Sequence, residues 1–109
     1  MRFLLKVNIP VETGNRAVWE GTLGKTIQKI LETLKPEAAY FAADNGQRSG
    51  FLIVNLENAS KIPSIAEPWF LAFNAAVEFQ PVMTLEDLQK AGQDIASSAK
   101  TYCQESVAV

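Results

Sequence analysis

Apolar residues along this chain recur first at every second position and then at helical spacing, and that change of period happens twice. In residues 2–9, Phe3, Leu5, Val7 and Ile9 alternate with Arg2, Leu4, Lys6 and Asn8. One face is fully apolar and the other mixed, which predicts a strand that Pro10 ends. In residues 15–34, Trp19, Leu23, Ile27, Ile30, Leu31 and Leu34 form one apolar helical face. Gly21 and Gly24 weaken that helix by about 1 kcal/mol each relative to Ala, and Lys35-Pro36 ends it. A second strand is expected over 38–43, bounded by Asp44-Asn45-Gly46, where Asn and Gly tolerate the positive φ of a tight hairpin. The third strand, 50–56, is nearly continuous in apolar residues, as a central strand requires.

The helical period then returns. Asn58 and Ser60 offer capping oxygens, and Ile62, Ile65, Ala66, Trp69, Phe70 and Phe73 share a helix face that Pro68 must kink or restart. A fourth strand is expected over 75–82. Thr84-Leu85-Glu86-Asp87 has the form of a capping box opening a third helix, with Leu88, Ala91, Ile95, Ala99 and Tyr102 facing inward. The chain reads as a single domain, 1–102, with a frayed tail at 103–109. The βαββαβ order implies an α+β ferredoxin-like sandwich with an extra C-terminal helix. Its expected strand order is 4-1-3-2, with both main helices on one face. The opposite face is expected to carry apolar residues from the set Leu4, Ala39, Phe41, Leu52 and Val54, and a face of that kind must be covered. The thin, alanine-rich third helix is a poor cover, so a homodimer through the open sheet face is expected.

Composition narrows the chemistry. The 109 residues are 48% apolar and 20% charged, with a net charge of −2, ordinary for a soluble globular domain. Lacking clustered Lys and Arg, the chain is not expected to bind nucleic acid. It contains no histidine, which removes the usual general base and the commonest metal ligand together. Cys103 is the single cysteine, so neither an internal disulfide nor zinc-ligand spacing is available. No metal or cofactor is expected. The apolar start is broken by Lys6 and Asn8 and stopped by Pro10, too short for a signal-peptide core. With no run approaching about 20 apolar residues, the expectation is a cytoplasmic protein that does not enter a membrane.

The run from Ala43-Asp44-Asn45-Gly46 through Gly50-Phe51-Leu52-Ile53-Val54, with Glu67-Pro68-Trp69 and Glu78-Phe79-Gln80-Pro81-Val82-Met83, resembles a family of short bacterial proteins classed as a domain of unknown function. More broadly the chain resembles the dimeric α+β barrel superfamily, in which two ferredoxin-like protomers pack sheet to sheet. The resemblance covers roughly residues 2–88 and rests mainly on turn and core positions. It implies a dimer and a ligand space between sheet and helices. The superfamily also contains cofactor-independent monooxygenases, muconolactone isomerases and haem-degrading enzymes, whose catalytic residue sets are not matched here.

Two motif readings fail on their own chemistry. Gly21-Thr22-Leu23-Gly24-Lys25-Thr26 lacks the first glycine of a P-loop, which would fall at Trp19, and lies within a helical pattern. An RNA-recognition motif would need stacking aromatics where Ile53 and Leu56 stand. The stronger candidate is a helix-side space with Trp19, Tyr40, Asn55 and Trp69 as ligand-binding residues beside Phe70 and Phe73, because aromatic walls with a few polar groups suit a small hydrophobic or aromatic molecule. Glu78 is the candidate catalytic base, since burial against aromatics would raise its pKa; an ion pair is the plainer role. Arg48, after the turn, either stays solvated or pairs a carboxylate. Three functions remain open: binding of such a molecule, cofactor-independent monooxygenase- or isomerase-like chemistry on it, and a purely structural dimer.

Overall fold

In the computed structural model, which describes residues 1–103, the chain folds into an antiparallel sheet with helices. The strands are β1 (Arg2–Ile9), β2 (Ala38–Asp44), β3 (Gln47–Asn55) and β4 (Ala76–Pro81). The helices are α1 (Val11–Glu20), α2 (Leu23–Leu34), α3 (Ile62–Phe73), α4 (Leu85–Lys90) and α5 (Gly92–Tyr102), with a 3-10 turn at Ala59–Lys61 before α3. The sheet runs β2-β3-β1-β4, which read from the other edge is the expected order 4-1-3-2. Residues 104–109, where most of the expected frayed tail falls, lie outside the described residues.

The expected helix over 15–34 is two helices. Gly21 takes φ 72°, its N–H bonds to the carbonyl of Val18, and the N–H of Thr22 bonds to the carbonyl of Ala17. This is a Schellman cap, for which glycine is the favoured residue because it has no Cβ to clash at positive φ. The break re-aims the chain, so Trp19 no longer continues the face of Leu23, Ile27 and Ile30. At the hairpin Asn45 and Gly46 have φ 54° and 71° between the paired Asp44 and Gln47, the geometry of a type I′ turn.

Side-chain parity sorts the sheet into two faces. Pairing of Phe3 with Val54, Leu5 with Leu52, Val7 with Gly50 and Ile9 with Arg48 puts these residues on one side. Ala39 opposite Leu52, Phe41 opposite Gly50 and Phe79 opposite Leu5 join them. Against this side pack Ile30 of α2 and Ile65, Trp69 and Phe73 of α3, closing the core. Phe3 and Phe79 meet edge to face at 6.0 Å, a favoured aromatic arrangement.

The open face is therefore less apolar than expected. Ala39, Phe41, Leu52 and Val54 all turn toward the helices, and of the expected set only Leu4 lies on the open side, together with Tyr40, Phe51 and Ile53. The cause is register: each of the four stands at a position whose parity matches the core row.

The C-terminal segment departs furthest from expectation. Thr84 and Asp87 form the capping box, each side chain bonding the other's backbone N–H at 3.1 Å. The helix then breaks at Ala91, and apart from that residue every position from Leu85 to Tyr102 is exposed. Leu88, Ile95 and Tyr102 are not inward; they are 44%, 54% and 77% exposed. The arm gives the molecule extents of 66 × 31 × 21 Å and a radius of gyration of 19.3 Å, against about 13 Å for a compact 100-residue domain.

Trp69 is 1% exposed at the centre of the core whereas Trp19 is 81% exposed. Trp69→Ala is expected to cost about 3–5 kcal/mol of stability, and Trp19→Ala within about 0.5 kcal/mol of none. Urea unfolding followed by circular dichroism checks both; similar losses for the two would contradict this packing.

Candidate functional site

The helix-covered side of the sheet is not filled to its edge. Tyr40–Ala43 of β2 are exposed, and Gln47 and Arg48 at the hairpin end of β3 are half-buried. The result is a cleft of about 670 Å³, floored by Val7, Ile9, Phe41 and Gly50 and walled by Val11, Leu23, Ile27 and Trp69. That volume lies within the roughly 300–1,000 Å³ of small-molecule sites. Gly50 keeps the floor low: a Cβ there would come within 3.2 Å of the Leu52 side chain and 3.3 Å of the Phe41 ring. Phe41 remains 51% exposed, a large ring with one side facing open space.

One end of the cleft is polar. Arg48 follows the hairpin on the core-facing row of β3, opposite Ile9 and Ala43. Its guanidinium crosses beneath α1 and donates from Nη1 to Oδ1 of Asn15 at 3.0 Å. Gly14 leaves room for this position of the guanidinium, since a Cβ there would lie 2.8 Å from the same Nη1 and the Arg48 side chain would have to shift. Glycine inside a helix costs about 1 kcal/mol relative to alanine, and the passage of Arg48 is what the vacant side chain permits. Among the described residues, the cleft is lined by the polar Asn15, Gln47, Arg48 and Ser49 and by no carboxylate.

Of the five residues proposed from sequence as binding or catalytic, Trp69 alone lines this cleft, together with Arg48, whose role the sequence leaves open. The Trp69 indole Nε1 is enclosed and has no hydrogen-bond partner, and its ring stacks at a tilt on Phe73, centroids 6.3 Å apart. Trp19 projects outward from the end of α1, and Phe70 is 41% exposed on the outer side of α3. Tyr40, Asn55 and Glu78 sit on the opposite face of the sheet, where they pair with Phe51, Arg2 and Lys6. The five candidates are thus not brought together. Even positions on β2 and β4, and odd ones on β3, face away from the helices, and the parity of a strand cannot be assigned until its register is known.

The open face carries a polar network of its own. Lys6 reaches across β3 to Asp44 at 2.8 Å, and Asn8 donates to Asp44 at 3.2 Å and to the Ser49 hydroxyl at 2.6 Å. Glu78 stands beside Lys6 on β4. At the far corner Arg2 and Asn55 both donate to Oε1 of Glu37 at 3.0 Å. Hydrogen bonding to Asp44 holds the Lys6 ammonium above its ordinary 10.5, and the charges of Asp44 and Glu78 add to this. Hydrogen bonds from Lys6 and then Asn8 hold the Asp44 carboxyl below its ordinary 3.8. Neither the cleft nor this network forms a metal centre: among the described residues no three His, Cys, Asp or Glu side chains gather to hold an ion. Nor is any helix among them long and apolar enough to cross a membrane.

Sequence reasoning passed over Asn15 and Gly14 and left Arg48 undecided. A usable signal was present, because Arg48 interrupts an alternating row that continues through Gly50, Leu52 and Val54. A charge in phase with a core row is buried, paired or aimed into a cavity.

Comparison with protein families gives one finding. The model of the family described as Domain of unknown function (DUF3303) matches residues 1–96, and the chain belongs to that family. A search of curated proteins gives no match.

The Lys6–Asp44 pair carries a pH dependence with a defined sign. Because the Asp44 pKa is depressed by folding, its contribution is present above about 3.8 and is lost as pH falls through the lower folded value. Because the Lys6 pKa is raised, its contribution persists until pH rises beyond 10.5. Asp44→Asn is therefore expected to lower the melting temperature at neutral pH, with a deficit that shrinks as pH falls below the ordinary carboxylate value. A deficit constant down to strongly acid pH would show that packing, not charge, is what Asp44 contributes.

Proposed function

We propose that this member of the family is a small-molecule-binding protein that receives an apolar ligand in the cleft between the sheet and the helices α1, α2 and α3. The observation that carries this reading is the cleft of about 670 Å³ with its Val7, Ile9, Phe41, Leu23 and Ile27 walls and its single polar end. A depression kept open by a glycine on a central strand, beside an aromatic ring with a free side, is how binding sites are built. Glu78 is on the far face of the sheet, and among the described residues no carboxylate lines the cleft. This favours binding over proton transfer on the same ligand. Saturable uptake of one equivalent of the neutral fluorophore N-phenylnaphthylamine, with emission enhanced and shifted to the blue, is expected. Absence of saturable uptake by the folded protein would refute the reading.

The strand order and the placement of α2 and α3 on one side support a ferredoxin-like sandwich, and the other side supports assembly in the manner of the dimeric α+β barrel superfamily. Leu4, Phe51, Ile53 and Tyr40 form a continuous apolar strip on the uncovered face, and the stripe on the C-terminal arm has no cover in its own protomer. A second copy meets both needs, since it brings an identical strip and an identical arm. Burial contributes about 25 cal/mol per Å² of such surface. Sedimentation equilibrium at micromolar concentration is expected to give twice the chain mass of 12.0 kDa, reduced toward the monomer by Ile53→Asp. A monomer mass for the unmodified chain would refute the assembly.

A further inference from the structure

The polar end of the cleft holds a cation without an anion. Arg48 has five N–H donors, of which one hydrogen bond, to the neutral amide of Asn15, is made. The ion pairs among the described residues are Arg2 with Glu37 and Lys6 with Asp44, and neither involves Arg48. Its guanidinium is half-buried under α1 and is the only charged group among the residues lining the cleft. The bond from Arg48 is accepted by Asn15 Oδ1, which orients that amide and leaves its N–H₂ donors free for a ligand. Donors therefore gather at one end of an apolar cleft, and among the described residues no carboxylate lines it to pair with Arg48.

We infer that the ligand is an apolar acid: an aromatic or aliphatic body lying over Val7, Ile9 and Phe41 with its carboxylate on Arg48 and Asn15. The inference rests on the cleft reading and adds the chemical class. Guanidinium and carboxylate are complementary in shape, and their paired hydrogen bonds are among the strongest that side chains make. The low-dielectric walls strengthen the attraction relative to water. A rim charge held only by solvent would need neither the glycine passage at Gly14 nor a fixed amide partner. A nucleotide or sugar phosphate is a poorer fit, because the remaining walls offer such a polar body few hydrogen bonds.

The test uses a matched pair, naphthylacetate and its neutral isostere naphthylacetamide, each displacing N-phenylnaphthylamine from the full-length protein. The acid is expected to displace at roughly tenfold lower concentration than the amide, the order of gain from one charge-assisted pair. The gap should narrow with added salt. Arg48→Gln should abolish the difference, the dye's own affinity being measured on the variant and circular dichroism certifying that it is folded. Gly14→Ala keeps the charge but crowds Nη1, and it should reduce the preference for the acid without removing uptake of the neutral dye. In a Trp19→Phe background, energy transfer from Trp69 to the dye places it in this cleft. If the dye does not bind, the cleft reading falls. If it binds and acid and amide compete equally, or Arg48→Gln leaves their difference unchanged, the cleft reading survives and the assignment of an acid is overturned.

Discussion

Everything functional in this molecule follows from the antiparallel register between β1 and β3. Placing Leu5 opposite Leu52 and Val7 opposite Gly50 sends Phe3, Leu5, Val7 and Ile9 to one side and Arg2, Leu4, Lys6 and Asn8 to the other. The core, the cleft and Arg48 belong to the first set, and the polar network and the open strip belong to the second. A slip of one residue would expose the core row to solvent. Because β2 and β4 pair with β3 and β1 respectively, they inherit the same division.

That dependence explains what the sequence made legible and what it did not. The period-2 row of β1, the Asn45-Gly46 turn and the Thr84–Asp87 cap are local signals, settled within a few residues by backbone sterics or a hydrogen bond, and they appear where expected. Tyr40, Asn55 and Glu78 posed a different problem. Each sits on a strand whose neighbours are apolar on both sides, so its facing depends on partners tens of residues away. The pairing of Tyr40 with Phe51, not any property of Tyr40 itself, takes it out of the cleft. Trp19 fits the spacing of a continuous helix, and only the Schellman cap at Gly21 removes it. Gly21 was visible as a weak point, but whether a glycine merely weakens a helix or ends it is decided by the capping bonds to Ala17 and Val18.

The C-terminal arm shows the same limit from the other direction. Leu88, Ala91, Ile95, Ala99 and Tyr102 make a consistent helical stripe, and helical stripes face apolar surroundings. The sheet face that would have received them is occupied near its centre by Lys6, Asp44 and Asn8, whose ion pair and hydrogen bonds would be desolvated beneath an alanine-rich helix. Covering charges without offering them partners costs more than burying a few alanines returns. Under the proposed dimer, the stripe would meet a surface that also brings polar groups to Lys6 and Glu78. A two-fold copy of the same face meets that condition, because every donor and acceptor in it is presented twice.

Gly14 and Gly50 tie the cleft to the sequence more closely than the aromatics do. Both stand in regular elements, a helix and a central strand, where glycine lowers stability. At each a Cβ would press on a particular neighbour: the guanidinium of Arg48 in one case, the Phe41 ring and Leu52 in the other. One opening lets a charged side chain pass under a helix, and the other lowers the floor on which a ligand would rest. The two glycines border an apolar hollow with Arg48 at its end, and under the proposed reading an anion bound there would stabilise the folded chain.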